Sequence, residues 1–190
     1  MDTDRTVDFG HVQVHIDYRT GRVRCLLPAA LTTATTAPTA SWGSSEHPAG
    51  LTPPSSRWNP AAALALATVL AIREAGPRRA SMQRLTAGLR TATAACTTPA
   101  THHQAAAAVR SVRRAAWFSP ARTACLEESA AAVLLLAMRR RSVTWCHGVA
   151  PDPVRLHAWI TTHDGTPAAE PASTLAYTTA LTIGAPSDRP

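Results

Sequence analysis

The sequence predicts an α+β domain in which helices precede a small antiparallel sheet. Apolar residues recur at helical spacing between residues 58 and 141, and beyond that point they alternate with a period of two. Helices and strands that are separated along the chain are typical of α+β domains. With 190 residues, the chain is long enough for one domain with a substantial hydrophobic core.

The composition divides the chain into three parts. Residues 1–27 contain HVQVHIDYRTGRVRCLL, in which apolar and polar residues alternate on both sides of a polar turn, and this pattern predicts a β-hairpin. Residues 28–57 are mostly Thr, Ala, Pro, Ser and Gly without an apolar period, which predicts a linker or a loosely held loop. Residues 58–186 hold the predicted helices and the sheet.

Three helices are expected between residues 58 and 116. Asn59 and Pro60 form an N-cap and a first-turn proline, and Gly76-Pro77 ends the segment that they begin. Residues 81 to about 95 predict a second helix, and residues 98 to about 116 predict a third.

A fourth helix is predicted within ARTACLEESAAAVLLLAM, residues 121–138, and its first turn is polar. The apolar residues of this segment cover two faces, so the helix is expected to lie inside the fold. Cys125 falls in the first turn, where unpaired backbone N–H groups and the helix dipole favour an anion such as a thiolate.

The last part of the chain predicts strands. SVTWCHGVA and VRLHAWITT are two strand-like runs, HDGTP is a turn, and LAYTTALTI is a final strand. Packing of the fourth helix against this sheet would bring Cys125 close to His157, with Asp164 or Glu170 after the next turn. A thiol, an imidazole and a carboxylate are the three groups that a cysteine nucleophile needs.

Charge and composition argue against several classes of protein. The net charge is +7, but all 19 basic residues are arginines scattered along the chain, and only 5% of residues are aromatic, so nucleic-acid binding is not expected. The acidic start MDTDRTVDFG has no apolar signal region, and no run approaches the roughly 18 residues of a membrane span. We therefore expect a cytoplasmic protein whose cysteines are thiols.

A metal site is a weaker alternative for the same residues. The wide cysteine spacing contains no CxxC pair that would indicate zinc. A zinc site built from Cys125, Cys146, His147 and His157 would lack any close ligand pair. We expect Cys146 to be inert in the core, with His147 pointing to the opposite side of its strand, and we expect neither a metal nor a cofactor.

Residues 110–185 resemble a known family. The helix start ACLEES, the strand TWCHGV, the tripeptide HAW, the turn GTP and an acidic residue before Tyr177 together resemble the leader peptidases of lasso peptide biosynthesis. These are transglutaminase-like cysteine proteases, so the resemblance implies a transglutaminase or papain-like cysteine protease core.

The resemblance implies roles for particular residues and partners. Cys125 resembles the nucleophile, His157 the general base and acid, and Glu170 the carboxylate that orients the imidazole. The implied reaction is removal of the leader from a ribosomally made precursor peptide. A separate leader-recognition protein is implied as a partner, and in such systems a cyclase then closes the core peptide.

Three positions depart from the family pattern. Glu128 stands where the family often has a basic residue, and together with Glu127 it would disfavour a neighbouring thiolate. Thr161 replaces a glutamate that is common after His-Ala-Trp and a hydrophobe. The turn TTHDG is longer than usual, which leaves Asp164 as a rival to Glu170 for the third member of the triad.

Two other functions and two roles for the N-terminal hairpin therefore remain open. The same triad would serve an acyltransferase acting on a modified peptide, and a protonated, unreactive Cys125 would favour a non-catalytic scaffold of a peptide-tailoring complex. The hairpin is expected to add to the C-terminal sheet, and the alternative is that its edge binds an extended leader peptide by strand addition.

Overall fold

The computed structural model describes residues 4–27, 57–151 and 153–184, and these residues form the predicted α+β arrangement. Nearly all of the predicted linker, residues 28–56, lies outside the described residues. The helices are α1 (Pro60–Glu74), α2 (Ser81–Ala94), α3 (His102–Ala116) and α4 (Cys125–Ala137). The strands are β1 (Asp4–Asp8), β2 (Gln13–Asp17), β3 (Arg22–Leu26), β4 (Thr98–Pro99), β5 (Arg141–Ser142), β6 (Thr144–Ala150), β7 (Arg155–Thr161) and β8 (Thr178–Ile183).

The N-terminal strands form a sheet of their own, in the order β1-β2-β3, so the expectation that they add to the C-terminal sheet is wrong. All three strands are antiparallel, and Gly21 supplies the positive φ of +72° in the turn between β2 and β3. One face is buried through Val7, Val14 and Ile16, while the other carries polar residues. The sheet therefore packs on the rest of the protein through a single apolar face.

Local capping explains where the first and third helices begin. The Asn59 side chain accepts hydrogen bonds from the backbone of Ala61 and Ala62, so α1 begins at the position that the sequence predicts. The third helix begins at His102 instead of residue 98, because Thr101 and Gln104 form a capping box there. Residues 98 and 99 pair in parallel with β5 instead.

Helix α4 is the centre of the molecule. It packs against α1, α2, α3 and β7, which agrees with its two apolar faces. Its small side chains allow this close packing on several sides, and Ala130, Ala131 and Ala132 are fully buried. The N-terminus of α4 is thereby held at a fixed position relative to the C-terminal sheet.

The C-terminal sheet is antiparallel, with β6 between β7 and β8. The buried Trp145 on β6 donates its indole N–H to Ser129 Oγ of α4 at 2.9 Å, which ties the sheet to the helix. The last strand begins at Thr178 instead of residue 175, because residues 172–176 form a 3₁₀ turn. None of the helices in the described ranges has both the length and the apolar character needed to cross a membrane.

Candidate active site

Cys125 is the first residue of α4 and is half-buried. Helix N-termini carry unpaired N–H groups and a partial positive charge, which stabilise an anion in the first turn. Glu127 Oε2 accepts a hydrogen bond of 2.8 Å from the backbone N–H of Ala124, so one of these donors is already occupied. The local structure thus holds a thiol at a defined helix start.

His157 lies on β7, opposite Gly148 of β6, and its side chain is almost completely buried. Its Nε2 atom is 2.9 Å from Glu170 Oε2. The His157 side chain also shares a hydrogen bond with Cys125. Because Nε2 faces Glu170, we assign this hydrogen bond to the other ring nitrogen, Nδ1. The structure therefore brings together Cys125, His157 and Glu170, which the sequence predicts as a triad, and the imidazole contacts both the thiol and the carboxylate.

The two neighbours of His157 favour its charged form. Burial lowers the pKa of His157, but the hydrogen bonds and negative charges of Cys125 and Glu170 outweigh burial and raise that pKa to about 9. At neutral pH the imidazole is then protonated, so it can stabilise a thiolate and later donate its proton to a leaving group.

Arg113 of α3 holds the carboxylate in place, and sequence reasoning missed it. Its Nη2 donates to Glu170 Oε1 at 2.6 Å, and its Nη1 donates to the carbonyl of Ala169 at 2.7 Å. Ala169 has a positive φ of +56°, which non-glycine residues rarely adopt. The sequence does hold a signal, because Arg113 follows Val109 by four residues and so occupies the buried face of α3.

Asp164, the rival third member of the triad, lies elsewhere. It is exposed in the turn after β7, where it accepts hydrogen bonds from Thr162 Oγ1 at 2.5 Å and from the backbone N–H of Thr166 at 3.2 Å. These hydrogen bonds lower the pKa of Asp164 to about 2. The structure thus places Glu170, and not Asp164, against His157.

The two glutamates after Cys125 are both paired with arginines. Arg73 of α1 binds the carboxylate of Glu127, and Arg113 Nε lies 3.6 Å from Glu128 Oε2. Both glutamate side chains are buried, so the guanidinium groups act on them with little screening by water. Arg73 and Arg113 therefore offset part of the negative charge that would oppose a thiolate, and Arg113 is shared between Glu128 and Glu170.

Gly148 leaves room for the aromatic packing around His157. A Cβ atom at this position would lie 2.7 Å from the carbonyl oxygen of Thr178 and 2.8 Å from the ring of Trp159. The Trp159 ring stacks on the His157 ring with centroids 5.7 Å apart. The Tyr177 ring also contacts the His157 ring, with centroids 5.2 Å apart. These rings fix the orientation of the imidazole and limit its access to water.

A cleft of about 480 Å³ lies between the N-terminal sheet and the start of α4, and Cys125 is part of its lining. His147 also lines it and is hydrogen-bonded through Nδ1 to Tyr18 Oη at 2.7 Å. Burial, and then the charge of His157, lower the pKa of His147 to about 4, so this imidazole is neutral at pH 7. Cys125 thus borders a cleft that the N-terminal sheet helps to form.

The residues of the alternative zinc site are engaged in other contacts. Cys146 is buried with its sulfur 3.8 Å from Thr161 Oγ1, and burial raises the pKa of its thiol. Over residues 4–27, 57–151 and 153–184, the structure contains no group of three or more His, Cys, Asp or Glu side chains arranged to hold a metal ion.

Comparison with known proteins adds one finding. Residues 66–182, from α1 to β8, match the sequence family described as the transglutaminase-like superfamily. The match covers more than half of the chain, so the chain belongs to this superfamily. No curated protein and no solved structure matches the chain.

Proposed function

Because this chain belongs to the transglutaminase-like superfamily, which includes cysteine peptidases and acyltransferases, we propose that it is a cysteine peptidase that removes the leader from a ribosomally made precursor peptide. The observation that carries the proposal is the line of contacts from Cys125 through His157 to Glu170. A thiol, an imidazole and a buried carboxylate in this order are the parts that acyl transfer to a cysteine requires.

The chemistry follows from the protonation state of His157. The Cys125 thiolate attacks the scissile carbonyl, and the protonated His157 donates its Nδ1 proton to the leaving amine. The neutral imidazole then takes a proton from water, which attacks the thioester and releases the acyl product. Glu170 keeps Nε2 protonated and aimed away from the thiol, so that Nδ1 remains the nitrogen that exchanges the proton.

The developing oxyanion needs hydrogen-bond donors that already point toward it. The backbone N–H of Cys125 lies in the first turn of α4, at the positive end of the helix dipole, and it is one such donor in this mechanism. The dipole of α4 acts in the same direction.

The narrower assignment to lasso-type precursors rests on the sequence motifs. The helix start ACLEES, the strand TWCHGV and the tripeptide HAW fall on α4, β6 and β7, which all contribute to the site. On this assignment the substrate is the precursor peptide, a separate recognition protein grips its leader, and a cyclase acts on the released core.

The decisive experiment is intact-mass spectrometry of the precursor peptide encoded beside this gene, incubated with the protein. The incubation is repeated with any adjacent leader-recognition protein and with the Cys125→Ala variant. We expect the precursor to lose a leader fragment with the wild-type protein and to remain intact with Cys125→Ala.

Two other outcomes would replace the proposal. A precursor of altered mass that keeps its leader, in a reaction dependent on Cys125, would assign the protein to acyl transfer. An unchanged precursor under every condition would favour a scaffold within a peptide-tailoring complex.

A further inference from the structure

The cleft beside Cys125 is walled mainly by apolar side chains from separate elements. They come from the N-terminal sheet, from α2, from the first turn of α4 and from β7. These side chains are Ile16, Val23, Met82, Leu85, Leu126 and Leu156. Its volume of about 480 Å³ lies in the range of sites that bind small organic groups.

The ionisable groups in the lining do not leave the cleft with a net charge. Arg73 and Glu127, the charged residues that line it within the described ranges, bind each other. His147 is neutral at pH 7, as its lowered pKa indicates, and Tyr18 occupies its Nδ1. A charged group entering the cleft would lose its hydration without gaining an opposite charge.

We propose that this cleft is a subsite for one large, uncharged apolar side chain on the acyl side of the peptide bond that Cys125 attacks. The inference rests on the proposed function in one respect, namely that the group reacting with Cys125 is a peptide carbonyl. Because Cys125 is part of the cleft wall, a side chain bound here belongs to a residue close to the reacting carbonyl. The subsite therefore selects the sequence at the cleavage position.

This proposal gives the N-terminal sheet a function. Ile16 and Val23 form the wall of the cleft opposite α4, and the buried hydrogen bond from Tyr18 to His147 attaches the sheet to β6 at the cleft. Residues outside the matched superfamily region, 66–182, thus contribute to substrate selection.

The test measures alkylation of Cys125 and requires no turnover. The reagents are N-acetyl dipeptide chloromethyl ketones. Their two residues are Leu-Gly, Gly-Leu or Gly-Gly, and Glu-Gly and Gly-Glu serve as charged counterparts. The thiolate displaces chloride from the chloromethyl carbon, so a C–S bond forms, the C–Cl bond breaks and chloride leaves. Intact-mass spectrometry gives the rates, and Cys125→Ser identifies any label on the other cysteines.

We expect one of the two leucine reagents to react about 10-fold or more faster than Gly-Gly, because burial of a leucine side chain is worth roughly 10- to 100-fold in affinity. The glutamate reagents should react no faster than Gly-Gly. Leucine reagents that both react within about twofold of Gly-Gly would overturn the proposal, and so would a glutamate reagent that matches the faster leucine reagent.

A pair of variants on β3 tests the wall itself. Val23→Glu places a carboxylate in the cleft and should reduce the ratio of the faster leucine rate to the Gly-Gly rate to near one. Leu26→Glu makes the same change on the same strand at an exposed position outside this lining, so it should leave the ratio unchanged. Equal ratios in the two variants would contradict the proposal. Should Val23→Glu fail to fold, the reagent series on the wild-type protein still decides.

The subsite and the proposed function can fail separately. An uncleaved precursor together with selective alkylation by a leucine reagent would remove the peptidase assignment and keep the subsite. A cleaved precursor together with unselective alkylation would keep the peptidase and remove the subsite.

Discussion

At the scale of single residues, the structure distinguishes the two carboxylates that the sequence left open. Glu170 contacts His157 from a buried position, whereas the exposed Asp164 binds the backbone and hydroxyl groups of its own turn. Sequence spacing places both residues after β7, and only the path of the chain after the turn decides which one reaches the imidazole. Cys125, His157 and Glu170 could be singled out from the sequence because each falls in a short motif with a recognisable neighbour, and their roles as a triad stay a prediction.

Substitution of the two carboxylates should separate their roles. Glu170→Gln is expected to lower the cleavage rate by about 100-fold or more, because the imidazole loses the carboxylate that orients and charges it. Asp164→Asn should remain within about twofold of the wild type. Initial rates of precursor cleavage give both values, and a large loss confined to Asp164→Asn would remove Glu170 from the triad.

Arg113 was missed because an arginine in a helix is most often solvent-exposed, although its spacing of four residues from Val109 places it on the buried face of α3. We expect Arg113→Gln to lower the free energy of unfolding by about 3 kcal/mol, because Glu170 and Glu128 would lose their buried counter-charge. If Arg113 also positions Glu170, its loss weakens the contact through which Glu170 raises the pKa of His157. The basic limb of the pH–rate profile, which reports the loss of the His157 proton, should then move to lower pH. Urea unfolding and a pH profile of cleavage measure the two effects.

The neighbouring Arg114 is the matched control for Arg113. It lies over the exposed ring of Phe118, so Arg114→Gln removes the same charge from the same helix at a cost of about 1 kcal/mol or less. A pH–rate profile that stays unchanged in Arg113→Gln, despite the loss of stability, would show that Arg113 only supports the fold.

At the scale of elements, the cap of α1 was predictable from the sequence, but strand β1 and the start of α3 were not. Asn59 caps α1 at the expected position, because an N-cap depends only on its neighbours along the chain. Strand β1 was missed, since its sequence DRTVD contains a single buried residue, Val7, and therefore lacks alternation. The start of α3 was misjudged because Pro99 is a good first-turn residue, but Thr101 provides the actual cap.

Two glycines in different elements allow a test of how closely β6 packs on its neighbours. Gly148→Ala should lower the free energy of unfolding by about 1–3 kcal/mol, because the new Cβ would overlap the Thr178 carbonyl and the Trp159 ring. Gly88→Ala, within α2, meets only the end of the Ile72 side chain at 3.5 Å. It should raise stability by about 0.5–1 kcal/mol through helix propensity.

Thermal or urea unfolding of these two glycine variants gives opposite signs if the packing is as described. Gly148→Ala should also lower the cleavage rate, since Trp159 stacks on His157 and would have to move. Equal stability of Gly148→Ala and the wild type would mean that β6, β7 and β8 are less tightly packed than the structure indicates.

At the scale of the whole molecule, the fold class was predictable from the order of periodicities, but the separate N-terminal sheet was not. Its attachment includes, besides its buried apolar face, the hydrogen bond between Tyr18 and His147, which are 129 positions apart in the chain. A pattern of neighbouring residues cannot predict a contact between residues so far apart. Neither residue belongs to the predicted triad, so the motifs did not point to them either. The cleft beside Cys125 was hidden for the same reason, because its walls come from both ends of the chain.

The raised pKa of His157 links the active site to the stability of the whole molecule. The folded value is about 9 and the ordinary value is 6.5, so the His157 side chain is protonated in the folded protein and neutral in the unfolded chain between these two pH values. The contribution of His157 to stability is therefore complete below pH 6.5 and is lost as the pH rises through 9. A difference of this size corresponds to about 3 kcal/mol.

Urea unfolding of the wild type and of His157→Gln at pH 6 and at pH 9.5 measures this contribution. We expect the wild type to be the more stable at pH 6 and most of that advantage to disappear at pH 9.5. Comparison of the two proteins at each pH cancels the titration of the other thiols and tyrosines. An advantage that stays constant between the two pH values would mean that Cys125 and Glu170 do not hold a proton on His157, which would also remove the thiolate–imidazolium pair from the mechanism.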